Sequence, residues 1–216
     1  MPSQPIFRFA PSPNGYLHLG HAYSALFTQR AAQAVGGAVL LRIEDIDTAR
    51  CKPEFDAAIL EDLEWLGFGW KGAVVRQSNR FESYEKSAQR LRISGLLYPC
   101  FCSRAEIAAN ATQTDPDGAP IYAGTCRHLA ANEVAARFAA GVPVQWRLRM
   151  DEAQEEIGDV LVVRECPVTD RDVLFRDERP RAVEPGRWGD VVLVRKDTPT
   201  SYHLSVVVDD AEQRVS

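Results

Sequence analysis

Residues Ile6-Phe-Arg-Phe-Ala10 and Pro11-Ser-Pro-Asn-Gly-Tyr-Leu-His-Leu-Gly-His21 decide the fold of this chain. A short apolar run enters a Pro/Gly turn that carries two histidines three positions apart. A helical pattern follows, from Ala22 to about Ala34. Strand, turn and helix start in that order make a place to hold phosphate, because free backbone N–H groups and the positive end of the helix dipole meet there. Gly20 lets a ligand come close to the backbone, as a side chain would not. His18 and His21 are of the type that donates hydrogen bonds to phosphate oxygens as negative charge builds. The segment is neither a P-loop nor a dinucleotide fingerprint, since both need glycine spacings that are missing here.

Working outward, Gly37-Ala-Val-Leu-Leu-Arg-Ile43 reads as a second strand that completes a β-α-β unit. A near-continuous apolar strand suits a parallel sheet covered on both faces, so the fold class is α/β. Pro53 to Leu66 places Phe55, Ile59, Leu63 and Leu66 at helical spacing, and another helix is predicted from about Arg80 to Ser94, stopped by Gly95. The character changes near residue 98. Ser103 and Glu106 form a capping box for a short helix, Asp115-Pro-Asp-Gly118 is a turn, and a further helix runs from about Asn132 to Gly141. Strands are predicted over Val144 to Arg149, Val160 to Val163, Asp190 to Arg195 and Tyr202 to Val208. The expected organisation is a catalytic α/β domain of residues 1–98 and 190–216, interrupted by an α+β insertion of residues 99–189. The last strands are expected to return to the parallel sheet.

With 216 residues, 45% hydrophobic and 25% charged, the chain has the composition of a globular protein. No apolar run approaches the roughly 20 residues of a membrane span. The start, Met1-Pro-Ser-Gln-Pro5, lacks the basic and apolar regions of a signal peptide, so a cytoplasmic location without membrane partners is expected. A net charge of −5 argues against a generally basic nucleic-acid surface. Arg171, Arg176, Arg179, Arg181 and Arg187 cluster within seventeen residues, but Asp170, Asp172, Asp177 and Glu178 are interleaved with them, and a solvated loop is the favoured reading.

Five cysteines are present, an odd number that does not suggest a disulfide framework. Cys100 and Cys102 form a C-x-C pair and Cys126 lies 24 residues beyond Cys102. Three soft thiolates in one irregular stretch suit zinc, which takes four tetrahedral ligands. His128, two residues after Cys126, and Tyr122, four before it, are both candidates for the fourth position. Cys51 and Cys166 read as ordinary thiols.

The segment from Arg8 to His21 resembles the HIGH signature of class I aminoacyl-tRNA synthetases, and Arg8-Phe-Ala-Pro-Ser-Pro-Asn-Gly15 narrows the likeness to the glutamate and glutamine branch. Cys100-Phe-Cys102 followed by Tyr122-Ala-Gly-Thr-Cys126 resembles the zinc-binding insertion of the glutamyl-queuosine tRNA(Asp) synthetase family. That resemblance implies Cys100, Cys102, Tyr122 and Cys126 as ligands of one structural Zn2+. It also implies a Rossmann-type sheet, ATP-dependent activation of L-glutamate with Mg2+, and transfer to the queuosine base of tRNA(Asp) without an anticodon-binding domain.

Two further patches carry the likeness. In Leu41-Arg-Ile-Glu-Asp-Ile-Asp47, Glu44 is suited to accept from an amino group, while Arg8 is suited to fork a carboxylate and Arg42 and Arg50 to neutralise the turn. In Ser201-Tyr-His-Leu-Ser-Val-Val-Val-Asp-Asp210, Tyr202 opens a strand and the aspartates shape a turn. The resemblance implies a glutamate site at Arg8, Phe9, Ala10, Pro11, Ser12, Glu44 and Tyr202. It implies ATP contacts at Pro11, His18, Gly20 and His21, the two histidines being catalytic. The family also has a substrate-holding arginine beyond the aspartate pair and a KMSKS-like lysine loop. Both would fall past Ser216, so an incomplete form is expected. Two other functions compete: a shortened glutamyl-tRNA synthetase acylating tRNA(Glu), and a non-catalytic zinc-stabilised RNA-binding module.

Overall fold

The computed structural model describes residues 4–167 and 177–216, and these divide into two compact units. One holds residues 4–81, 166–167, 177–179 and 205–216; the other holds Glu82–Glu165 and Pro180–Leu204. Arg171 and Arg176 of the arginine cluster lie outside the described residues.

The first unit begins with β1 (Ile6–Phe9), α1 (Leu19–Ala34) and β2 (Ala38–Ile43), the predicted β-α-β unit. β1 pairs parallel with β2 in the register Ile6 to Ala38 through Phe9 to Leu41, and β2 pairs parallel with the short β3 (Val75–Arg76). β2 is therefore central: Val39, Leu41 and Ile43 are buried on one face, and on the other the fully buried Arg42 follows half-buried Leu40. α2 (Pro53–Trp65) starts with proline at its first turn beside Glu54 and Asp56, both favourable at the positive helix end, and buries Ile59 and Leu63. These close with Phe9, Ala25, Ala32 and Phe68 into one core, where the Phe9 and Phe68 rings meet edge to face at 5.6 Å.

The second unit carries α3 (Phe81–Ile93), which buries Tyr84 and Ala88 and ends at Gly95 with φ 81°, a left-handed turn that favours glycine. β4 (Leu97–Cys100), β5 (Gln145–Leu148) and β8 (Val192–Val194) form an antiparallel sheet in the order β4-β5-β8. Around it lie α4 (Arg104–Asn110), α5 (Ala131–Ala139) and α6 (Met150–Ile157), with a two-stranded ribbon of β6 (Val162–Glu165) and β7 (Arg179–Ala182). The capping box at α4 forms as expected: Ser103 Oγ accepts from the Glu106 N–H, and Glu106 accepts from the Ser103 N–H. On the exposed ribbon Arg181 pairs with Glu165, in keeping with a solvated arginine loop.

Two expectations fail. The strand predicted over Asp190 to Arg195 forms as β8 but pairs antiparallel with β5, so it belongs to the second sheet. The strand predicted over Tyr202 to Val208 is a helix, α7 (Tyr202–Gln213). Its β-branched run Val206-Val-Val208 suggested a strand, but burial of Ser201, Leu204, Ser205 and Asp209 repeats at helical spacing. Among the described residues no helix is long and apolar enough to cross a membrane.

Candidate active site and metal centre

The loop from Ala10 to Leu17 carries the chain from β1 to α1. The Pro11 carbonyl accepts from the Glu44 N–H at 2.9 Å, joining the loop to the end of β2. Pro11 and Phe9 are buried, Ala10 and Ser12 half-buried. α1 starts three residues earlier than predicted because the histidines cap it. His18 Nδ1 accepts from the Gly20 N–H at 3.1 Å, and His21 Nδ1 accepts from the His18 N–H at 3.2 Å. Both Nδ1 atoms are thus acceptors, which in the neutral ring places the proton on Nε2 and turns an N–H donor outward. The rings lie 3.9 Å apart between centroids. Burial, and then the neighbouring His18, hold the His21 pKa below the ordinary histidine value, which favours the neutral form. A Cβ on Gly20 would stand 3.0 Å from the His18 ring, so any side chain there would press on the cap.

Beside this loop, Arg8 and Glu44 are tied into a charge network. Arg8 is forked by Asp210, Nε to Oδ1 at 2.7 Å and Nη2 to Oδ2 at 3.2 Å. The fully buried Arg42 donates through Nη1 to Asp210 at 2.7 Å and to Gln213 at 2.9 Å, and through Nη2 to Glu44 at 3.2 Å. Asp209, also fully buried, accepts from Gln77 at 2.8 Å and from Arg80 Nε at 2.7 Å. Burial raises the Glu44 pKa, and the attraction of Arg42 and Arg8 offsets this only in part. At Asp210 burial also opposes the charge, but Arg8 and Arg42 outweigh it and hold the carboxyl below its usual range. Arg42 pairs with Glu44, and Arg50 with Asp47, as expected. The tie to the aspartates was missed. An arginine between Leu41 and Ile43 in a buried strand was the signal, because a buried charge needs a partner.

In the second unit the sulfurs of Cys100, Cys102 and Cys126 all lie within 4.8 Å of one another, a cluster that can hold a metal ion. Cys102 and Cys126 are 3.5 Å apart, and the Tyr122 hydroxyl lies 3.7 Å from the Cys102 sulfur. A tetrahedral ion with metal–sulfur bonds of about 2.3 Å separates its ligands by roughly 3.8 Å, so the donors fit. The Tyr122 oxygen also accepts from the Cys126 N–H at 2.7 Å. His128 is exposed and outside the cluster.

Burial raises the Cys100 thiol, but hydrogen bonds with Tyr122, Gln145 and Arg147 and the arginine charge bring it down to about 7. Burial, with Cys126 and Cys100 alongside, pushes Cys102 up to about 11. The Arg147 guanidinium lies 4.0 Å over the Tyr122 ring, and Lys196 donates to the Phe101 and Cys102 carbonyls at 3.0 and 3.1 Å. Two cations therefore stand beside the thiols. Asp190 supports the same region by accepting from Tyr98 Oη at 2.7 Å and from the Met150 N–H at 3.0 Å. Tyr202 lies in this unit, half exposed, on an open cleft of about 740 Å³ that Arg104, Arg147 and Lys196 also line.

A parallel sheet whose first strand feeds a helix capped by two histidines, with an acid-and-arginine network at the strand ends, fits the catalytic domain of a class I aminoacyl-tRNA synthetase. The family of class I tRNA synthetases for glutamate and glutamine (E and Q), catalytic domain, matches residues 6–216, and the chain belongs to it. It is 46% identical over 222 aligned residues to the glutamyl-Q tRNA(Asp) synthetase of Rhodobacter capsulatus, covering 98% of this chain and 74% of that protein. It is 42% identical to glutamate–tRNA ligase 2 of Methylobacterium sp., covering 96% of this chain and 43% of the ligase. A crystal structure of a glutamate tRNA ligase from Elizabethkingia meningosepticum in complex with its amino acid superposes with a TM-score of 0.70 at 27% identity, over 99% of this chain and 43% of that one. The chain thus spans less than half the length of these ligases.

Proposed function

We propose that the protein activates L-glutamate with ATP and transfers it to the queuosine base of the tRNA(Asp) anticodon. The observation that carries this is the 46% identity to a glutamyl-Q tRNA(Asp) synthetase across nearly the whole chain. The cysteine cluster with Tyr122 beside it supports the same choice. In the first step an oxygen of the glutamate α-carboxylate attacks the α-phosphorus of ATP, pyrophosphate leaves, and glutamyl-adenylate forms. Arg8, Phe9, Ala10, Pro11, Ser12 and Glu44 hold the amino acid, Arg8 facing a carboxylate and Glu44 the ammonium. His18 and His21 offer Nε2–H donors to the phosphates above Pro11, Gly20 and the helix N-terminus, where no water reorganisation is needed as charge moves. In the second step a hydroxyl of the modified base attacks the activated carbonyl, AMP leaves, and the hydroxyl proton is lost. Mg2+ bound with the ATP would neutralise phosphate charge. Cys100, Cys102, Tyr122 and Cys126 would hold Zn2+, which would cross-link residues 100–126 within the second unit.

The test is ATP–pyrophosphate exchange with glutamate and no tRNA, followed by transfer of labelled glutamate to tRNA(Asp) with and without queuosine. It is run on this chain and on any longer form. Exchange with glutamate but not glutamine, and label only on the queuosine-bearing tRNA, is the expected result. Label on tRNA(Glu) instead would replace this function with that of a shortened ligase. RNA binding without glutamate-dependent use of ATP in either form would leave only the RNA-binding module.

A further inference from the structure

Arg8 stands on β1, but its guanidinium is oriented from α7. Asp210 grips the Nε edge of Arg8 with both oxygens, and its Oδ1 simultaneously accepts from Arg42. This grip uses two of the five N–H donors of the guanidinium, on a side chain that remains 26% exposed. Asp210 itself has little freedom. Its neighbour Asp209 is fully buried between Gln77 and Arg80, and Gln213, one turn on, is bonded to Arg42. Arg42 in turn holds Glu44. One guanidinium therefore links the group suited to a carboxylate with the group suited to an ammonium.

We propose that Asp210 is a positioning residue for glutamate: its carboxylate fixes the plane of the Arg8 fork, and Arg42 locks that plane to Glu44. The proposal presupposes the glutamate contacts of Arg8 and Glu44 given above. An arginine without such a clamp loses rotamer freedom when the substrate arrives, and that loss weakens binding. Asp210→Asn keeps the shape but turns an NH2 toward one of the arginine donors. The two-point grip on Arg8 becomes a one-point grip, and the fork rotates about Nε.

The experiment is calorimetric titration of L-glutamate and, separately, of ATP into the wild type, Asp210→Asn, Arg8→Lys and the double variant. Glu212→Gln is the control, since it removes another acid of α7 that pairs with Arg80. Asp210→Asn should weaken glutamate binding roughly tenfold or more while leaving ATP binding within about twofold. In the Arg8→Lys background it should add almost nothing, because the fork it acts through is gone. Glu212→Gln should bind glutamate as the wild type does. Unchanged glutamate affinity in Asp210→Asn, or the same loss with and without Arg8, overturns the positioning role while leaving glutamate binding intact. A wild type that does not bind glutamate overturns the proposed function, and this role with it. If Asp210→Asn does not fold, Asp210→Glu, which keeps the charge and displaces it, enters the same cycle with the same two criteria.

Discussion

At the scale of the residue, Glu44 shows how burying a carboxyl costs stability. Its side chain is 11% exposed, and burial raises its pKa above the ordinary 4.5 despite Arg42. The native state therefore holds a proton on Glu44 more tightly than the unfolded chain does. What Glu44 contributes to stability is fully present below its unfolded value and is lost as pH rises through the raised one. Glu44→Gln, which keeps an acceptor for Arg42, should melt higher than the wild type at pH 7, by about 2–4 °C for each kcal/mol recovered. The difference should vanish near pH 4, and glutamate-dependent exchange should fall by roughly tenfold or more. A lower melting temperature at pH 7 would mean that the Arg42 pair, not burial, dominates. Arg8 and Glu44 were legible in the sequence as residues to be taken together, and one charge network joins them. The aspartates that orient them were not, because residues about 170 to 200 positions away in sequence meet only through the fold. The histidines were legible as standing at a helix start. Their mutual capping depends on ring geometry that no spacing encodes.

At the scale of the element, α7 is the misread one. Alternation in a strand would bury Leu204, Val206 and Val208 and expose Ser205. In the helix Ser205 and Asp209 are fully buried and Leu204 is buried, while Val207 is 65% exposed. Three consecutive valines weaken helix propensity by only a few tenths of a kcal/mol each relative to better formers. Seating Asp209 against Gln77 and Arg80 outweighs that. Ser205→Leu should destabilise the protein by about 1–3 kcal/mol through overpacking, whereas Val207→Lys should change stability by less than about 0.5 kcal/mol. Thermal melts of the two variants check this, and equal effects would contradict the helix. By contrast β1, α1, β2 and α2 were legible because each carries its own period or cap. The capping box of α4 was equally plain, and Ser103→Ala should cost about 1 kcal/mol in the same assay.

At the scale of the whole molecule, the two units are stabilised by different means. The first has a contiguous apolar core on a parallel sheet. One buried cluster of the second unit holds Tyr98, Cys100, Phe101, Tyr122 and Cys126, so thiols and aromatic rings pack together there. Arginines cover its aromatics: Arg92 on Trp146, Arg137 on Phe101, Arg147 on Tyr122 and Arg149 on Tyr98, at 4.0 to 5.3 Å. The thiols sit inside this buried cluster, and a metal bound to them would add its binding free energy to folding. The purified protein should therefore contain one zinc. Chelation should raise hydrogen exchange in peptides of β4, α4, α5 and β5 while those of β1, β2 and α2 stay protected. Cys100→Ser, whose sulfur is fully buried, should reproduce this without chelator and lower the bound zinc. Exchange that rises equally in both units would make the metal a global requirement. Unchanged exchange and unchanged metal content in the variant would remove Cys100 from the ligand set, and the second unit would then owe its stability to the arginine stacks and the Asp190 bonds.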